Sequence, residues 1–180
     1  SFSSISGSGA EYKPTDHGYT LISYKSSETD TILRADFILN EQNEADSSSH
    51  VTRIGKYTLC CDEYVEYIYI GKYVRETNAF YYSKNLKGIF VDKENENYAS
   101  VDGVLYKKEN GVLTEIILYP MMNSYYRTAL SIGYTAPDTY EEVKRFANEI
   151  QNNKERIEEK YAESEISFMI PDSVIKISDL

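Results

Sequence analysis

Val65-Glu66-Tyr67-Ile68-Tyr69-Ile70 and Leu86-Lys87-Gly88-Ile89-Phe90-Val91 carry one pattern twice, apolar-x-x-apolar-x-apolar, and begin 21 residues apart. Repetition at such a period marks units that cannot each bury an apolar face alone and must stack on neighbours to make a core. Val51-Thr-Arg-Ile54-Gly-Lys-Tyr57-Thr-Leu59 opens the first unit and Val74-Arg-Glu-Thr77-Asn-Ala79-Phe80 the second, 23 residues later. Phe168-Met-Ile170-Pro-Asp-Ser-Val174-Ile-Lys-Ile177 returns to the phrase, matching Ile68 to Thr77 at a spacing of 100 residues. Stacked units present surface, so the pattern points to a binding protein before an enzyme.

The chain has 180 residues, 41% of them hydrophobic, enough for one domain with a substantial core. Its net charge of −10 argues against nucleic acid or an anionic membrane as partner, since both require clustered Lys and Arg, and leaves a basic protein open. Eighteen tyrosines and no tryptophan fit both strand propensity and a contact surface built on aromatic side chains. No run approaches the ~18 apolar residues of a membrane span. The sequence starts without Met or a signal-peptide pattern and reads as a mature or excised fragment. Cys60 and Cys61 are adjacent, a spacing that disfavours a disulfide between them, and read as partly buried thiols.

The flanks differ from the repeats. Residues 1–15 are rich in Ser and Gly and read as a flexible linker or tail. Asn40 to His50 reads as a solvated loop. Asn110-Gly111, between the apolar runs Val104-Leu-Tyr106 and Val112 to Leu118, is a strong hairpin signal because both residues accept positive φ. After Pro137, Asp138 or Thr139 can cap a helix with Glu141 or Glu142 in the box position. Tyr140, Val143, Phe146, Ile150, Ile157 and Tyr161 then form one apolar stripe on a helix of roughly 25 residues.

These phrases resemble the BspA-type leucine-rich repeat family of bacterial surface proteins, whose repeat runs I-P-x-x-V-x-x-I-x-x-x-A-F followed by x-x-C-x-x-L-x-x-I-x-I. Ala79-Phe80 stands at the A-F pair, with Leu86, Ile89 and Val91 at the family spacing. Thr58-Leu59 replaces that pair one unit earlier, and Ile170-Pro-Asp-Ser-Val174-Ile-Lys-Ile177 is similar to the family's opening. The likeness covers roughly residues 18–120 and 166–180. Asp62 and Ser83 stand where the family has its repeat cysteine, and the helical stretch 138–164 interrupts the array. The resemblance implies a repeat solenoid, a β-rich leucine-rich repeat of short parallel strands with loop or short-helix returns, carrying an inserted β-hairpin and one long α-helix. On that reading residues 16–97 hold the N-terminal opening unit and repeats, 98–120 a β-hairpin decoration and 121–165 a helical insertion. Residues 166–180 begin a further repeat that stops before its A-F pair. The resemblance also implies secretion or cell-surface display, adhesion to a protein or glycan, and no catalytic residues.

The residues themselves carry little chemistry. His17 and His50 sit in polar segments without a neighbouring nucleophile elbow, and two histidines with Cys60-Cys61 do not make a zinc set. Asp92-Lys-Glu94-Asn-Glu96-Asn97 imitates a calcium loop but lacks Gly at its sixth position and Glu at its twelfth. No phosphate-cradling motif occurs, so no enzyme, cofactor or metal is expected. Strand alternation instead sends Tyr69, Phe90 and Met169 to one outward slot and Tyr67 to the slot two earlier, making an apolar strip that is the candidate ligand-binding surface. Two readings stay open: a surface recognition module that binds a protein or glycan through this exposed sheet face, or a structural or spacer domain of a larger cell-surface protein in which the hairpin or helix covers the strip.

Overall fold

The computed structural model describes residues 4–5, 9–40, 42–60, 62–77, 83–163 and 168–177. In chain order the strands are β1 (Ser4–Ile5), β2 (Glu11–Thr15), β3 (Gly18–Ser23), β4 (Ile32–Ala35), β5 (Phe37–Leu39), β6 (Ala45–Ile54), β7 (Tyr67–Ile70), β8 (Gly88–Val91), β9 (Tyr98–Val101), β10 (Val104–Glu109) and β11 (Val112–Leu118). Helices α1 (Asn123–Ser131), α2 (Tyr140–Asn152) and α3 (Lys154–Glu163) follow, and β12 (Lys176–Ile177) comes last.

The doubled phrase forms the centre. β4, β7 and β8 lie parallel and in register, with Leu33, Ile68 and Ile89 in one row and Ala35, Ile70 and Val91 in another. Alternation sends these two rows to one face, into the principal apolar core with Leu21, Ile54, Leu59, Leu86 and Leu105. Ile32, Tyr67, Tyr69 and Phe90 take the opposite face and join a second core with residues of α1, α2 and α3. A parallel sheet buried on both faces explains why Tyr67–Ile70 and Gly88–Val91 are buried at every position.

The array ends after three strands, so the molecule is not the repeat solenoid that the spacing suggests. It is a mixed α/β fold with three separate small sheets and, among the described residues, three helices. The outer edge of β8 is occupied by the next hairpin: Ile89 N–H donates to the Gly103 carbonyl at 2.8 Å and Val91 N–H to Ser100 Oγ at 2.9 Å. With that edge satisfied, no fourth parallel strand can add. What repeats is local. Gly55, Gly71 and Asp92 each donate their N–H back to a preceding strand, to Leu21, Ala35 and Ile70, all at 2.9 Å. Each then accepts an N–H from three residues on, Thr58, Val74 and Asn95 respectively.

The first sheet runs β1-β2-β3-β6-β5, with β3 and β6 parallel and the other pairs antiparallel. The segment Glu11–Thr15, which its position within the Ser/Gly-rich flank marks as linker, is strand β2, because Tyr12 buries its ring in the principal core. The third sheet runs β12-β11-β10-β9. Asn110-Gly111 makes its tight turn with φ of 51° and 78°, and Asp102-Gly103 repeats the device at 52° and 77°. Gly103 has a second reason to lack a side chain, since a Cβ there would lie 2.9 Å from Asn123 Nδ2.

The single long helix expected over 138–164 is two helices. Thr139 caps α2 through a full capping box: its hydroxyl accepts from Glu142 N–H at 3.2 Å, while Glu142 accepts from Thr139 N–H at 2.9 Å. The break falls at Asn153, whose side-chain amide donates to the Glu149 carbonyl at 2.7 Å and so competes with the backbone ladder. Helix α1 falls within the helical insertion expected over 121–165, ahead of the one long helix that the apolar stripe marks.

Candidate functional site

Tyr67, Tyr69 and Phe90 stand in line on one face of the central sheet, at 2%, 6% and 4% exposure. Their cover is the apolar stripe of the helices. Phe146 of α2 meets Tyr67 edge-on at 5.9 Å, Tyr140 meets Tyr69 at 5.9 Å and Tyr126 of α1 meets Phe90 at 5.4 Å. Tyr126 and Phe146 close the layer at 5.4 Å. Offset and edge-to-face rings of this kind add to the burial they accompany. Burial pushes the Tyr67, Tyr69 and Tyr126 hydroxyls well above the usual tyrosine range, and Tyr125, beside them, up to about 12. All four are neutral across the physiological range.

Met169, the fourth residue of the strip, is elsewhere. It lies in the segment leading to β12, 81% exposed, with Ile175 and Ile177 also exposed nearby in sequence. β12 pairs in parallel with β11 at the edge of the third sheet, and only Phe168 and Val174 of this segment pack inward, against Tyr106, Ile116 and Tyr119.

A groove follows the other side of α2, where three neighbouring cavities of about 590, 450 and 360 Å³ share walls. The first is lined by Tyr24, Asp30, Arg34, Glu44, Tyr140 and Lys144 among others, and the last by Glu66, Lys87, Tyr125 and Lys154. Lys87 is held by an ion pair with Glu66 and lies 5.0 Å from the Tyr125 ring. Arg34 makes a forked contact to Asp36, at 2.7 and 3.2 Å, and stacks 3.9 Å over Tyr140. Alternation could have placed Arg34 on the outward face with Tyr69, its register partner; nothing in the pattern marked Asp30.

The histidines, Cys60 and the calcium-like run do not line this groove. His50 packs between Phe37 at 5.5 Å and Tyr73 at 4.0 Å, and His17 lies in the turn between β2 and β3. Cys60 is exposed, and Cys61 lies outside the described residues. The calcium-like run is a turn clamped by Asn95, which is buried. Its amide donates to the Gly71 and Val74 carbonyls at 2.9 and 2.8 Å and its oxygen accepts from Asn97 and Tyr98 N–H, both at 2.8 Å. Among the described residues no group of three or more His, Cys, Asp or Glu is placed to hold a metal ion, and no helix is long and apolar enough to cross a membrane. No family model, curated protein or solved structure matches the chain.

Proposed function

We propose that this chain is a non-enzymatic structural module whose aromatic layer fastens its helices to its central sheet. One observation carries the reading: Tyr67, Tyr69 and Phe90, the residues whose alternation suits them to a contact face, lie under Tyr126, Tyr140 and Phe146 of the same chain. A face so covered contributes to folding and leaves no room for a protein or glycan on it. Phe90→Ala is therefore expected to lower the unfolding free energy by about 3–5 kcal/mol in a denaturant titration. A variant as stable as the parent would overturn the reading, because the ring would then hold nothing in place.

A second reading, recognition of a partner protein, is favoured at a different place by Met169, Ile175 and Ile177, which sit exposed around an edge strand. Aliphatic and Met side chains gathered at a sheet edge gain from burial against another apolar surface. The cell-surface setting of either role comes from the sequence resemblance.

A further inference from the structure

The largest of the three cavities beside α2 holds a charge that the chain does not match. Arg34, in its wall, is neutralised by Asp36, and Lys144 lies 3.9 Å from Glu141. Asp30 is different. It sits at the tight turn before β4, half-buried, where the groups beside its carboxyl are the Ile32 backbone N–H and the Tyr24 hydroxyl. That hydroxyl has one proton and donates it to the Ile32 carbonyl at 3.0 Å. Among the described residues no ion pair reaches Asp30, and burial raises its carboxyl above the usual range. A carboxylate kept in a cavity at a cost to folding is a group whose partner arrives from outside.

We infer that this cavity of about 590 Å³ binds an alkylammonium or guanidinium group, seated on Asp30 between the Tyr24 and Tyr140 side chains. Size and lining agree with the assignment: the volume suits a side chain or a small organic cation, and a ligand cation offsets the desolvation that the site imposes on the carboxylate. The chain's net charge of −10 draws such a ligand in. The same chemistry is offered by a Lys or Arg side chain of a partner protein and by a free polyamine. The site shares Tyr140 with the aromatic layer, but its charge sits on Asp30, outside that layer, so loss of binding in Asp30→Asn and loss of stability in Phe90→Ala test the two readings separately.

Isothermal titration of the intact chain with a hexalysine peptide and with spermine tests the inference. Binding is expected at one site per chain, weakened at least about tenfold by Asp30→Asn, as loss of one member of a partly buried charge pair implies. Glu159→Gln, which removes an equal charge from the exposed side of α3, is expected to change affinity less than about twofold, the size of a rim charge effect. Tighter hexalysine identifies a partner's side chain, and spermine as tight or tighter identifies a free polyamine. Equal losses in the two variants, or no binding of either probe, overturn the assignment. Misfolding cannot imitate the expected result. The raised Asp30 carboxyl opposes folding above its folded-state pKa and ceases to do so below the unfolded value, so Asp30→Asn should melt above the parent near neutral pH. That gain should shrink as the pH falls through the carboxylate range.

Discussion

Residues 68–77 and 168–177 carry the same phrase and share the local structure of its second half, yet one is core and the other surface. Val74 N–H returns to the Gly71 carbonyl at 3.3 Å, and Val174 N–H to that of Pro171 at 3.1 Å. The next residue in each copy reaches a threonine carbonyl on a neighbouring strand, Arg75 to Thr52 and Ile175 to Thr114, both at 2.9 Å. Even the ion pair recurs with its sign reversed: Glu76 lies 3.3 Å from Arg53, and Lys176 lies 3.8 Å from Glu115. The first halves of the copies differ. Ile70 is fully buried and Ile170 is 43% exposed. Hydrogen bonding within the phrase is local and travels with it, whereas burial depends on what arrives from elsewhere. The first copy receives β4 and β8 on its edges and α2 on its outer face; the second pairs with one strand, β11, and packs only Phe168 and Val174 inward, each partly buried.

The contrast can be broken where it is widest. Ile70→Ala removes a side chain enclosed by two strands and is expected to cost about 2–5 kcal/mol in a chemical denaturation curve, against less than about 1 kcal/mol for Ile170→Ala. Comparable losses would mean that the phrase, not its surroundings, sets the stability. Gly71→Ala probes the turn. A Cβ there would stand 2.6 Å from the Cα of Asp36, so the substitution must displace backbone beside β4. The expected loss is about 1–3 kcal/mol by thermal unfolding, and a neutral result would show that this close approach is not needed.

Much of the local structure was legible in the residues. Asn110-Gly111 announced its turn by the positive φ that those residue types accept, and Thr139 with Glu142 announced its cap by a reciprocal hydrogen bond spanning three positions. The inward rows Ile68, Ile70, Ile89 and Val91 followed from alternation. The solenoid did not follow, because a repeating phrase says how each strand begins and not how many neighbours it gains. Here the third-sheet hairpin takes the edge of β8, through a Gly103 carbonyl and a Ser100 hydroxyl that no spacing marks. Helix α1 lay inside the expected helical insertion but its bounds were not legible, because its buried face mixes Tyr125, Tyr126 and Ala129 with Asn123, Arg127 and Thr128. Those polar groups are held by tertiary partners: Asn123 donates to the Asp102 carbonyl at 2.7 Å, and Arg127 donates to Asn123 at 2.8 Å and to Tyr119 at 2.6 Å. Of the four strip residues, alternation assigned the face of Tyr67, Tyr69 and Phe90 but could not say what lies over it. Asp30 was illegible, since a lone acid in an acidic chain acquires meaning only from the cavity around it.

The most direct test of the account compares positions 69 and 169, the same slot of the same phrase. Tyr69→Ala and Met169→Ala are each measured by denaturant unfolding under one set of conditions. With α2 lying over Tyr69 and Met169 left exposed, Tyr69→Ala should cost about 3–5 kcal/mol and Met169→Ala no more than about 0.5 kcal/mol. Equal losses, or a larger one at Met169, would contradict the claim that helical cover separates the two copies.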